Sequence, residues 1–206
     1  DGLEVIDYLY TANGRTPVYQ FIYRDTPIAF YLSRVGAPAC AAGLEEVIAM
    51  GAKKILMFGS CGILNRAADD KIIIPVSAVR DEGTSYHYLE AADEVSADAD
   101  VIERLTACIE RCGHPHVKGK TWTTDAFYRE TAEVIAERKE TGCLCVEMEC
   151  AAAMAVAKFR DIPFAQFLYG ADNLDSDSWE PRDLTEYGLS GAEKYMALAF
   201  EGVLAL

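Results

Sequence analysis

Ile55-Leu56-Met57-Phe58-Gly59-Ser60-Cys61-Gly62 decides how this chain is read. Four apolar residues in a row, with no alternation, suit a strand buried on both faces, and such strands belong to parallel sheets. The run closes on two glycines around a serine, a composition that lets the backbone turn tightly and present N–H groups and a hydroxyl to an anion. Upstream, Ala37 to Met50 has helical spacing of apolar residues and stops at Gly51. Downstream, Lys71 to Val79 reads as a strand, Val101 to Cys112 as a helix, and His116 to Thr121 as a strand. Glu130 to Lys139 reads as a helix, Leu144 to Val146 as a strand, Met148 to Phe159 as a helix, Phe164 to Tyr169 as a strand, and Tyr187 to Leu206 as a helix. Val18 to Arg24 and Pro27 to Ser33 flank Asp25-Thr26 as a hairpin. Strands alternating with helices predict one α/β domain over 1–206: a central mixed, mostly parallel sheet with helices on both faces.

Composition narrows the function. The 206 residues are 51% hydrophobic and 25% charged, ordinary for a globular domain. The net charge of −14 argues against nucleic acid as a partner, because phosphate backbones need clustered Lys and Arg. The apolar run Ala151 to Ala157 is too short to cross a bilayer, so no membrane association is expected. Seven cysteines, an odd number set mostly in apolar stretches, read as reduced thiols and point to the cytoplasm. Their spacings do not make a zinc site with the three histidines, and His114-Pro115-His116 reads as a turn, so no metal is expected.

Three polar motifs fall at predicted strand ends, where open α/β sheets bind ligands. The first is Gly59-Ser60-Cys61-Gly62. The second is Val146-Glu147-Met148-Glu149, where two carboxylates precede an alanine-rich helix; a carboxylate accepts from both vicinal hydroxyls of a sugar, or simply favours the helix terminus. The third is Gly170-Ala171-Asp172-Asn173, where a partly shielded carboxyl group serves as a general acid or as a turn residue. The runs Arg80 to Tyr88 and Thr123 to Tyr128 follow strands as well. Arg80 to Tyr88 lines a pocket, a subunit contact or only a surface loop. Phe127 and Tyr128 suit stacking on a flat base or burial in the core. Asn173 to Arg182 reads as a mobile acidic loop.

In this order, the motifs resemble the nucleoside phosphorylase and uridine phosphorylase superfamily. The resemblance implies phosphate held at Gly59 and Ser60, ribose hydroxyls at Glu149 with Met148 packed on the sugar, and the base against Phe127 and Tyr128. It further implies that Asp172 protonates a purine. Inorganic phosphate would be co-substrate, with no metal or organic cofactor, and the protein would be a homo-oligomer, a dimer or hexamer. Two departures stand out. Met57 occupies a position where the family carries arginine, and the family's N-terminal phosphate segment, which would bring a first strand, is not matched before Val18. Arg34 and Arg80 are the candidate replacements for the missing guanidinium. Hydrolysis of a nucleoside by the same fold, and nucleoside binding without catalysis, remain open alternatives.

Overall fold

The computed structural model describes residues 2–176, 178–182, 185 and 190–206. Two sheets are present. The smaller is antiparallel and formed by β1 (Glu4–Thr11), β2 (Gly14–Tyr23) and β3 (Thr26–Phe30). The predicted hairpin is therefore two-thirds of a sheet, and Glu4–Thr11 is a strand that the sequence reading left unassigned. After α1 (Ala37–Ala49) comes β4 (Ile55–Ile63), then β5 (Ile72–Asp81), β6 (Glu94–Ser96), α2 (Ala99–Arg111) and β7 (His116–Thr124). The chain continues through α3 (Ala132–Glu140), β8 (Cys143–Glu147), α4 (Cys150–Phe159), β9 (Phe164–Asn173) and α5 (Ser190–Ala205). Tyr187 to Leu189, the expected start of the last helix, lie outside the described residues.

The larger sheet has the order β6-β5-β7-β8-β4-β9. Pairings β4–β9, β5–β7 and β7–β8 are parallel, while β4–β8 and β5–β6 are antiparallel. The mixed, mostly parallel sheet is thus as expected. One further pair, Ile73 with Leu168, joins β5 to β9, so the sheet curls into a barrel-like closure. Helices cover both faces. Cys40, Leu44, Met154 and Val156 of α1 and α4 share one core cluster, and Ile102, Leu105, Leu198 and Ala199 of α2 and α5 share another with Phe167. Ala151, Ala152, Ala153, Ala155 and Ala157 of α4 are all buried. Alanine costs little side-chain entropy in a helix and lets α4 lie close to both α1 and the sheet.

The strands run further than hydropathy suggested. Gly59-Ser60-Cys61-Gly62 lies inside β4, and Gly170-Ala171-Asp172 inside β9, where the two segments pair with each other. Cys61 faces Gly170, and Gly62 faces Asp172 across a bulge. Backbone pairing between small residues carries the ladder past the point where the apolar runs end. Gly62 is required here. A Cβ on it would lie 2.5 Å from Leu174 Cδ1, 3.0 Å from Val146 Cγ1 and 3.2 Å from Asp172 Oδ1.

Candidate active site

The three predicted motifs meet at Gly62, which pairs with Val146 of β8 on one side and Asp172 of β9 on the other. Along Ile55 to Cys61, β4 pairs only with β9 among the described strands, since β8 joins it at Gly62 and Ile63 alone. The second backbone edge around Gly59 and Ser60 therefore lies outside any ladder, and Ser60 is half-buried beside it.

Glu147 and Glu149 divide the work at the start of α4. Glu147 is buried (6% exposed) and accepts from the Glu149 and Cys150 N–H groups at 2.8 and 2.6 Å and from the Thr123 hydroxyl at 2.6 Å. It serves the helix terminus, the plainer of the two readings for this acid pair. Burial nonetheless pushes its carboxyl group up to about 7, helped by the neighbouring Glu149 and opposed by those donors. Glu149 is the residue preceding α4 and is half-buried. One of its oxygens accepts from the Gly36 N–H at 2.5 Å. Gly36 has φ +96°, in the left-handed region that favours glycine, so this turn aims its N–H at the carboxylate. Burial also raises Glu149 above its ordinary value, with the Gly36 donor opposing. Met148, between the two acids, is half-buried.

Asp172 projects from β9, also half-buried, and burial raises its carboxyl group above the usual range. Its hydrogen-bond donor is the Trp179 indole, with Nε1 2.7 Å from Oδ2. That donor opposes the rise, as does Arg182, which acts only through its charge. Its guanidinium is taken by Asp69, at 2.8 and 3.2 Å, and by Glu180 at 3.5 Å. Glu130 is the other carboxyl group here. Burial and the Asp172 charge raise it to about 7. Neither Trp179 nor Glu130 was singled out from the sequence, because a tryptophan in an acidic loop and a glutamate opening an expected helix are commonplace patterns; the helix itself starts at Ala132.

The aromatic segment is not core. Phe127 and Tyr128 begin a 3-10 turn, Phe127–Arg129, and are 49% and 90% exposed, with ring centroids 4.2 Å apart. Phe127 thus presents a half-exposed ring, packed on Tyr128, in the turn that leads into Glu130.

Both candidate arginines make contacts within the chain. Arg80 is buried (5% exposed), with Nε donating to Ser85 Oγ at 2.8 Å and Nη1 to the Glu90 carbonyl at 2.7 Å. Its guanidinium also lies over the Tyr86 ring at 4.1 Å. It organises the Glu82 to Glu90 loop, so its assignment to phosphate is corrected: a fork already matched to chain acceptors has little left for an anion. Arg34 Nη2 donates to the Gly14 carbonyl at 2.8 Å and to Thr16 Oγ1 at 3.3 Å, bracing β2. Met57 packs into the α1–α4 core, its sulfur 3.8 Å from the Cys40 thiol. The acidic segment after β9 is anchored as well, through an Asn173–Glu180 bridge and through Asp175, which pairs with Lys139 and accepts from the Arg66 N–H at 2.9 Å. Among the described residues, no group of three or more His, Cys, Asp or Glu side chains is arranged to hold a metal, and no helix is long and apolar enough to cross a membrane.

Comparison with known proteins gives the family. Residues 4–199 match the family model of the phosphorylase superfamily, and the chain belongs to that family. It is 24% identical over 203 residues to a guanosine phosphorylase of Halorubrum lacusprofundi, covering 96% of this chain and 84% of that protein. It is 34% identical over 107 residues to a uridine phosphorylase of Thermococcus kodakarensis, covering 52% of this chain and 39% of the relative. In fold it is similar to the crystal structure of a purine nucleoside phosphorylase from Toxoplasma gondii in complex with immucillin-H. The TM-score is 0.79 at 20% identity, over 98% of this chain and 83% of that one.

Proposed function

We propose that the chain is a purine-type nucleoside phosphorylase, cleaving the N-glycosidic bond with phosphate to give free base and ribose 1-phosphate. The observation that carries this reading is the pair of raised, half-buried carboxyl groups, Glu149 and Asp172, on either side of Val146 and Gly62. Glu149 keeps its second oxygen for the ribose hydroxyls, with Met148 against the sugar. Phe127 lies along the base, and the more exposed Tyr128 supports it. Asp172, raised by burial, gives a proton to the purine as the bond breaks, because a leaving base and an oxocarbenium-like ribose are both costly when fully charged. A phosphate oxygen then bonds C1′ from the opposite face, positioned by Gly59 and Ser60.

Phosphate is the co-substrate and no organic cofactor or metal takes part. Partners are the nucleoside, phosphate and further copies of the chain as a dimer or hexamer, in the cytoplasm, without nucleic acid or membrane. A second reading replaces phosphate by water. Met57 in the core and the commitment of Arg80 to its own loop favour it, since an anion site without guanidinium forks lacks its strongest contacts.

The test is base release from inosine, guanosine, adenosine and uridine, followed by absorbance. The purine nucleosides are cleaved, and Asp172→Asn lowers their kcat on the order of 100-fold or more while nucleoside affinity holds. Undiminished cleavage by that variant would remove Asp172 from the chemistry.

A further inference from the structure

The Trp179 indole, seven positions beyond Asp172, reaches back to its carboxylate beside a backbone bridge that joins Asn173 to Glu180. The Asn173 N–H donates to the Glu180 carbonyl at 2.9 Å, and the Glu180 N–H returns the bond at 3.1 Å. Outside that bridge, Arg182 grips Asp69, and on the near side Asp175 is held by Lys139 and Arg66. Trp179 is 58% exposed, so the ring is not a core residue. The one polar atom of the indole donates to Asp172 Oδ2 at 2.7 Å.

An indole N–H donates and never accepts, so it bonds best to an ionised carboxylate. A purine N7 is an acceptor and needs a proton from that same group. We propose that Trp179 gates the proton of Asp172: its indole holds the carboxylate in a donor-bound resting form, and the incoming base displaces it. The inference rests on the phosphorylase reading above. With the indole displaced, the Asp172 carboxylate is protonated by hydronium or a buffer acid from solvent, whose conjugate base returns to bulk. As the glycosidic bond breaks, its electron pair passes into the purine and N7 takes the Asp172 proton. A phosphate oxygen bonds C1′, and the carboxylate is left ionised for the indole to rebind. Trp179 is a positioning residue, acting through Asp172. Among the described residues, the other groups facing Asp172 are the Arg182 guanidinium, which also favours the ionised form, and the Glu130 carboxyl and Cys61 thiol, which disfavour it by charge when ionised.

Trp179→Phe keeps an aromatic ring and removes the donor, and it is read in two ways. In the first, intrinsic fluorescence of the free protein is titrated across the carboxyl range. Trp122 also emits and donates to Asp81 at 2.9 Å, so the Trp179 signal is the parent's emission minus that of Trp179→Phe. The expected result is a step in that difference, absent when Trp179→Phe is compared in the same way within Asp172→Asn. No step, or one that survives in the Asp172→Asn background, overturns the gate. In the second, the alkaline limb of kcat/KM for inosine moves to higher pH in Trp179→Phe. Cleavage on that side is then on the order of tenfold above the parent, the worth of one hydrogen bond to a charged group. An unmoved limb overturns the gate, because loss of packing alone would lower activity without shifting it. A parent that cleaves no nucleoside overturns the phosphorylase reading instead, and the fluorescence titration then decides the contact by itself.

Discussion

Replacing Glu147 with glutamine tests whether a buried acid at the start of α4 is held largely neutral. Its carboxyl group is raised from 4.5 to about 7, chiefly by burial. For an acid whose folded value lies above its unfolded one, the native state binds the extra proton. The associated stability is complete below pH 4.5 and is lost as pH rises to about 7. A gap of about 2.5 pH units corresponds to roughly 3 kcal/mol, or roughly 10 °C in Tm for a domain of this size. Glutamine has nearly the same shape and remains neutral. Its amide oxygen can still accept from the Glu149 and Cys150 N–H groups, and its NH2 can donate to the Thr123 hydroxyl. Thermal or urea unfolding of parent and variant, at a pH below 4.5 and again above 7, isolates the contribution. The parent loses more stability across that window than Glu147→Gln, by roughly 3 kcal/mol. Parallel pH profiles in the two proteins would refute the reasoning and make Glu147 an ionised helix cap.

Further outcomes are expected. Glu149→Ala raises KM for ribonucleosides on the order of 10- to 100-fold, the worth of hydrogen bonds to a charged acceptor; affinity for the free base is unchanged, which equilibrium binding checks. Gly62→Ala drives a methyl group into Leu174, Val146 and Asp172, costing about 1–3 kcal/mol in unfolding measurements and lowering kcat by moving the acid. Arg80→Met unpairs the loop acceptors at Ser85 and Glu90 and destabilises the protein by about 2 kcal/mol, yet leaves KM for phosphate unmoved. A large rise in that KM would return Arg80 to the anion site.

Much of this was legible before the structure. The order of strands and helices followed from periodicity except for β1 and the three-residue β6, which were not assigned, and the convergence of three motifs followed from their expected positions at strand ends. The strand limits at Gly59 to Gly62 and Gly170 to Asp172 were not legible, because pairing between two small-residue segments leaves no hydropathy signal. The barrel-like closure rests on one pair, Ile73 with Leu168, that no local pattern encodes. Arg80 was misplaced for a related reason: a polar, aromatic run after a strand looks like surface, although the loop folds its own acceptors around the guanidinium. Trp179 and Glu130 reach Asp172 only through tertiary folding, as polar loops give no period from which to infer a contact.

Phosphorolysis is distinguished from hydrolysis by the identity of the sugar product. Purified protein is incubated with inosine and inorganic phosphate, and the products are followed by phosphorus NMR with base release measured in parallel. Phosphorolysis predicts a ribose 1-phosphate signal that grows with released hypoxanthine, and no release when phosphate is omitted. Equal release without phosphate, with free ribose as the sugar product, would contradict it and establish water as the nucleophile.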